Sequence, residues 1–123
     1  QEGLWVMTDE VKLTKVFMNL IGNAKKFTTQ GHIVVGAKIT SDNVWVECWV
    51  KDTGMGISPE NLEHIFDRFY KVNEFKQGTG LGLSICGAII ELLEGQIWVE
   101  STLGEGTTFY FRIPYQKPKE EGI

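Results

Sequence analysis

Three separated stretches of this 123-residue chain combine side chains and backbone suited to chemistry. Asn19-Leu20-Ile21-Gly22-Asn23-Ala24-Lys25-Lys26-Phe27 offers amides and an ammonium at helical spacing. Asp52-Thr53-Gly54-Met55-Gly56 offers a carboxylate followed by a turn with little side-chain bulk. Gly78-Thr79-Gly80-Leu81-Gly82-Leu83 is a glycine-rich run at the start of a helical pattern. Amide, cation, carboxylate and bare backbone are together the ingredients of a nucleotide–metal site. Backbone N–H groups at a helix start, with the helix dipole behind them, favour phosphate. A carboxylate such as Asp52 accepts from an exocyclic amine, and the neighbouring glycines let a flat base approach the backbone.

Taken singly, each stretch has a plainer reading. The glycine run reads equally as a flexible turn with no ligand, and Asp52 as a turn-capping residue. Asn19 and Asn23 would fit a solvated helix face, although two asparagines cost helix propensity there. Two common phosphate motifs are excluded directly. A P-loop needs Gly-x4-Gly-Lys-Ser/Thr, which is absent. In a Gly-x-Gly-x-x-Gly fingerprint starting at Gly78 or Gly80, the last glycine position falls on Leu83 or Ile85.

The elements that must position these groups follow from periodicity. Leu4 to Met7 reads as a short strand, and Thr8 or Asp9 caps a helix running to about Phe27. Leu13, Val16, Phe17, Leu20, Ala24 and Phe27 form its core face. Asn19, Asn23 and Lys26 form a second stripe roughly a quarter turn away, at about 100° per residue. His32 to Thr40 and Val44 to Lys51 read as a hairpin around Ser41-Asp42-Asn43, with Val44, Val46, Cys48 and Val50 inward. Pro59 starts a short helix, Glu60 to about Phe66. Ile85, Ala88, Ile89 and Leu92 mark a second long helix ending before Gly95. Gln96 to Ser101 and Thr107 to Pro114 form a second hairpin around Leu103-Gly104-Glu105-Gly106. Adjacent antiparallel strands with helices between the pairs predict an α+β two-layer sandwich, its helices on one face of a mixed sheet.

The same alternation sorts the sheet faces. If Val46, Cys48, Ile97, Val99, Phe109 and Phe111 face the helices, then Trp45, Trp49, Trp98 and Tyr110 lie on the open side. Glu47, Lys51, Glu100 and Arg112 are their neighbours there. This set is either a cross-strand aromatic ladder or a docking surface for another domain.

Composition narrows the classes. The net charge of -4 and scattered Lys and Arg give no electrostatic case for nucleic acid. No apolar run is long enough to span a bilayer, and no signal peptide is visible. Cys48 and Cys86 read as two buried thiols in a reducing compartment, and with His32 and His64 they lack zinc-pair spacing. The length fits one domain, and the start at Gln1 reads as a fragment of something longer.

Together, in order and spacing, the motifs resemble those of sensor histidine kinases across nearly the whole chain. Asn19 to Phe27 resembles their N box, and Asp52-Thr53-Gly54-Met55-Gly56 their G1 box. Phe66-Asp67-Arg68-Phe69-Tyr70 resembles the F box, and Gly78 to Leu83 the G2 box. Gly104-Glu105-Gly106-Thr107-Thr108-Phe109 resembles the closing Gly-x-Gly-Thr-x-Phe strand.

The resemblance implies the Bergerat ATP-binding fold over residues 1–123, shared with gyrase, Hsp90 and MutL ATPases, with ATP and Mg²⁺ as cofactors. It implies that Asn23 binds Mg²⁺, with Asn19 near the metal and terminal phosphates. Lys26 meets phosphate and Phe27 lies against the sugar or base. Asp52, with Gly54 and Gly56, receives the adenine amino group, and Thr107 stands behind it through water. Gly78, Thr79, Gly80, Leu81, Gly82 and Leu83 cradle phosphate. Lys71 reaches the phosphates from a lid spanning about 69–80, anchored by Phe66 and Phe69, and residues 115–123 form a tail.

The resemblance also implies partners. The γ-phosphoryl group goes to a histidine on a separate phosphoacceptor domain of the same or a partner kinase chain, with a response-regulator receiver domain downstream. The implied setting is a cytoplasmic domain of a larger membrane-anchored sensor, without membrane insertion of this segment. Neither His32 nor His64 has the helical-hairpin context of a phosphoacceptor, so the likeness is to the catalytic half alone. A hydrolytic relative would place a Glu near the Asn19 position, and this chain has Asn. A degenerate nucleotide-sensing module is the non-enzymatic alternative, and the intact motifs argue against it.

Overall fold

A computed structural model of the chain describes residues 10–28, 30–67 and 82–116. The expected Leu4–Met7 strand, the helix cap at Thr8 or Asp9, residues 69–80 and the tail beyond 116 lie outside them. Helix α1 spans Glu10–Phe27. It buries Val16, Leu20 and Ala24, flanked by half-buried Leu13, Phe17 and Ile21. The apolar stripe read from sequence is therefore the packed one, with Phe27 only half-buried at its end.

Strands β1 (Ile33–Ile39) and β2 (Trp45–Asp52) form the first hairpin. In its turn, Asp42 Oδ1 accepts from the Thr40 hydroxyl at 2.5 Å and from the Val44 N–H at 3.0 Å. Val44 thus belongs to the turn. It is 48 % exposed, not the first inward residue of the strand. Strands β3 (Gln96–Thr102) and β4 (Gly106–Pro114) form the second hairpin. The sheet order is β1-β2-β4-β3. Every described pairing is antiparallel rather than mixed. Each hairpin reverses through a short turn, and the two join edge to edge along β2 and β4, from Trp45 opposite Pro114 to Asp52 opposite Thr107.

Helix α2 is only Pro59–Leu62. Beyond it, His64 N–H donates to Asn61 O and Asp67 N–H to His64 O, a tighter i to i−3 pattern that ends the helix short of Phe66. The Phe66 ring still meets the buried Phe109 edge-on, with centroids 6.2 Å apart. Helix α3 spans Gly82–Leu92. Its buried residues are Cys86, Ile89 and Ile90, whereas Ala88 is exposed and Leu92 is 71 % exposed. An apolar helix offers several candidate faces, and packing on α1 and the sheet selects the one through Cys86.

Helix α3 ends before Gly95, as expected. Glu94, not Gly95, takes the left-handed conformation, at φ 63°. Gly95 N–H donates to Ile90 O and Glu94 N–H to Glu91 O, closing a Schellman motif. Glycine is needed one residue later because a Cβ at Gly95 would collide with the Arg112 carbonyl.

Helices α1 and α3 cover one sheet face. Between the layers lie Val46, Cys48, Val50, Phe109, Phe111 and Ile113, with the Phe17 and Phe111 rings edge-on at 5.1 Å. On the opposite face Trp98 and Tyr110 stack at 5.4 Å and 10°. The Arg112 guanidinium sits 4.1 Å from the Trp45 ring centre and donates from Nε to Gln96 Oε1 at 2.8 Å. Trp49 lies over its cross-strand partner Gly36 so closely that a Cβ there would enter the indole. Trp98 and Tyr110 therefore pair with each other, while Trp45 and Trp49 meet a cation and bare backbone within the sheet. Trp49→Ser should lower the unfolding free energy of the isolated chain by about 1–2 kcal/mol in a urea titration. An unchanged midpoint would mean that the ring contributes nothing to the sheet.

Candidate functional site

Asp52 and Thr107 are the buried polar or charged residues among the described ones, at 4 % and 5 % exposure. They close the helix-facing side of β2 and β4, directly opposite each other. Burying a carboxylate is costly unless donors meet it. Asp52 Oδ1 accepts from the Gly54 N–H at 2.9 Å. Among the described residues this is its one hydrogen bond, so Oδ2 remains to receive a donor.

The turn after Asp52 is fixed from three sides. Met55 N–H donates at 3.1 Å to the Phe27 carbonyl, one of those left unpaired at the end of α1. Thr53 N–H donates to His32 O at 3.1 Å, and Thr53 Oγ1 accepts from the His32 N–H at 2.9 Å. Gly104 N–H donates to Met55 O at 2.6 Å. A Cβ at Gly54 would strike the Phe27 carbonyl, and one at Gly56 the Thr102 carbonyl. Gly56 also sits at φ 76°. The bare backbone read from sequence as room for a base is closed here, on those faces, by the chain's own backbone.

The polar flank of α1 turns toward the start of α3. Asn19 is half-buried, with Oδ1 3.9 Å from where a Gly82 Cβ would stand. Its amide also lies beside the Cys86 thiol. Burial pushes that thiol up to about 11, and the Asn19 amide pulls the other way. Cys86 Sγ donates to Val16 O at 3.8 Å, so the α1–α3 contact and the Asn19 position are coupled. Asn23 and Phe27 are half-buried and Lys26 is exposed. Gly82 and Leu83 open α3, half-buried. Lys71, Gly78, Thr79, Gly80, Leu81 and the lid lie outside the described residues.

Amide oxygens such as those of Asn19 and Asn23 are hard donors that suit Mg²⁺, an ion usually held by few protein ligands together with waters and substrate phosphates. The described residues contain no cluster of three or more His, Cys, Asp or Glu able to hold a metal. Two amide oxygens fit an ion whose remaining ligands would come from water and a polyphosphate. Both cysteines are buried free thiols, and burial pushes Cys48 up to about 12. His64 Nδ1 lies 3.0 Å from Asp67 Oδ2 on the surface. No helix among the described residues is long and apolar enough to cross a membrane.

Two residues escaped the sequence reading. Ser101 Oγ contacts the Ile57 N–H, the Gly106 carbonyl and the Thr107 hydroxyl, each at 2.8 Å. The available signal was a serine continuing the Ile97, Val99 series on the helix-facing side of β3. Thr28 Oγ1 is buried beside Gly54 without a hydrogen-bond partner among the described residues. Nothing in the residue pattern marked it.

Residues 8–117 match the family described as histidine kinase-, DNA gyrase B-, and HSP90-like ATPase. The chain is 37 % identical over 123 residues to the sensor histidine kinase WalK of Bacillus subtilis, covering 96 % of this chain and 20 % of WalK. It therefore spans about a fifth of the length of that curated relative. The catalytic domain of histidine kinase ThkA superposes with a TM-score of 0.79 at 36 % identity, over 94 % of this chain and 75 % of that one. Full-length ShkA, solved in complex with AMPPNP, superposes with a TM-score of 0.82 at 33 % identity, over 94 % of this chain and 24 % of that one.

Backbone packing at the turn makes a direct prediction. Gly56→Ala should destabilise the chain by at least about 1–2 kcal/mol through its left-handed φ alone. Urea unfolding measures this, and an unchanged stability would mean that the turn is not held against Thr102 and Leu103.

Proposed function

The chain belongs to the histidine kinase-, DNA gyrase B- and HSP90-like ATPases, and on that premise we propose that it binds ATP·Mg²⁺ and donates the γ-phosphoryl group to a histidine on a separate domain. The observation that carries the reading is the buried Asp52–Thr107 pair, one carboxylate oxygen open, on the helix-facing side of the sheet beside the end of α1. A buried carboxylate that has taken only the Gly54 N–H among the described residues suits an exocyclic amine. In this reading Asp52 receives the adenine amino group, with Thr107 behind it through water. Phe27 lies against the sugar or base. Asn19, Asn23 and Lys26 serve the metal and phosphates, and residues 78–83 with Lys71 complete the phosphate side.

Mg²⁺, when bound, neutralises charge on the terminal phosphates. The chain's own residues supply positioning and further charge neutralisation, which dominate phosphoryl transfer. The phosphoacceptor belongs to another domain of the same or a partner kinase chain. His32 directly precedes β1 and His64 follows the short α2, neither in a helical hairpin, in keeping with an acceptor elsewhere. A receiver domain downstream and a cytoplasmic position within a membrane-anchored sensor complete the proposal.

Two titrations test it. Asp52→Asn puts a donor where an acceptor is wanted. Loss of a charge-assisted hydrogen bond worth about 1.5–3 kcal/mol should weaken ATP binding by roughly ten- to a hundred-fold. Equal ATP affinity in a folded Asp52→Asn protein would remove Asp52 from the site. Asn23→Ala should weaken ATP binding mainly when Mg²⁺ is present. A parallel fall with and without the metal would make Asn23 a packing residue.

A further inference from the structure

We infer that Ser101 is a positioning residue that sets the donor–acceptor polarity of Thr107, and through it the preference for a 6-amino over a 6-oxo purine. The inference deepens the nucleotide-site reading above and rests on it. Ser101 Oγ lies 2.8 Å from the Gly106 carbonyl, and a carbonyl only accepts, so the single Ser101 proton is committed there. Its two lone pairs then receive the Ile57 N–H and the Thr107 hydroxyl, both at 2.8 Å. The Thr107 proton is therefore spent on Ser101, and Thr107 has only lone pairs left for the site.

Asp52 stands directly across the β2–β4 ladder from Thr107. As a carboxylate it too only accepts, and its one donor among the described residues is the Gly54 N–H. The buried end of the sheet therefore presents acceptors and no side-chain donor from this pair. A base edge there has to bring N–H groups, directly or through water. At the 6 position, which the reading above sets against Asp52, a 6-amino group brings two N–H donors, whereas a 6-oxo group sets lone pairs against those of Asp52 and Thr107 and keeps its base's one edge N–H a position away, at N1. Removing the Ser101 hydroxyl frees the Thr107 proton to turn into the site, where it can donate to a 6-oxo group.

The test compares ATP with inosine triphosphate, which carries the 6-oxo group, by calorimetric titration of the 123-residue chain. Wild-type protein should prefer ATP. Ser101→Ala should shrink that preference by roughly three- to tenfold, the scale of one neutral hydrogen bond. Ser101→Thr, which restores the hydroxyl, should recover it. In the double variant Ser101→Ala/Thr107→Val the gain for inosine triphosphate should vanish, because the freed proton is that of Thr107. A purely structural Ser101 would weaken both nucleotides alike. Should Ser101→Ala not fold, Ser101→Cys keeps the volume with a weak partner and should move the preference the same way. An unchanged preference in the folded variant, or a gain that survives loss of the Thr107 hydroxyl, overturns the inference alone. Wild-type protein that binds neither nucleotide overturns the nucleotide-site reading and the inference with it.

Discussion

Backbone packed directly on backbone around the Asp52 turn is the constraint on which the rest of the structure depends. Gly54 rests against the Phe27 carbonyl and Gly56 against that of Thr102, with no side chain between them. Three segments distant in sequence therefore meet at one short turn: the end of α1, the end of β2 and the β3–β4 turn. Hydrogen bonds from Met55 to Phe27, Gly104 to Met55 and Ile57 to Ser101 hold the same junction. Its consequence is rigidity where a carboxylate is buried. The turn that donates to the Asp52 carboxylate is thereby tied to the end of a helix and the turn of a hairpin.

The core serves that junction from the other side. Leu20 and Val16 are fully buried on α1, and Cys86 is fully buried on α3. Their contact sets how far the polar flank of α1 stands from the first residues of α3. Asn19 sits at that seam, between the Cys86 thiol and Gly82. A thiol suits the position because it is small and, with its pKa raised by burial, uncharged. One helix thus carries packing residues and polar groups a quarter turn apart, and the second helix fixes both.

The open face of the sheet follows a different logic. Its rings are engaged with one another, with the Arg112 guanidinium, and with the bare Gly36 backbone. Cross-strand aromatic contacts and a cation over an indole contribute about 1 kcal/mol each at such half-buried positions, and they reach β1 and β3, the two edges of the sheet. Of this face's four rings, Trp98 and Tyr110 show the cross-strand pairing of an aromatic ladder.

Much of this was legible in the residue pattern, and the reason is periodicity. The α1 stripe of Val16, Leu20 and Ala24, the two hairpins, the helix-facing and open sides of the sheet, and the pairing of a carboxylate with a glycine turn all follow from spacings of 3.6 and 2. What periodicity cannot rank, tertiary contact decided. Helix α3 is apolar on several sides, so only its neighbours could choose Cys86 and Ile90 over Ala88 and Leu92. Helix α3 does stop before Gly95, but glycine is required there by the approach of the Arg112 carbonyl, while Glu94 takes the left-handed turn. Ser101 gained its role from three partners brought together by the sheet register and the Asp52 turn. Sequence determined which residues face the core and which motifs carry chemistry, because these are local and repeating. The structure alone decided what touches Thr107, because a hydrogen bond's direction depends on every partner in reach.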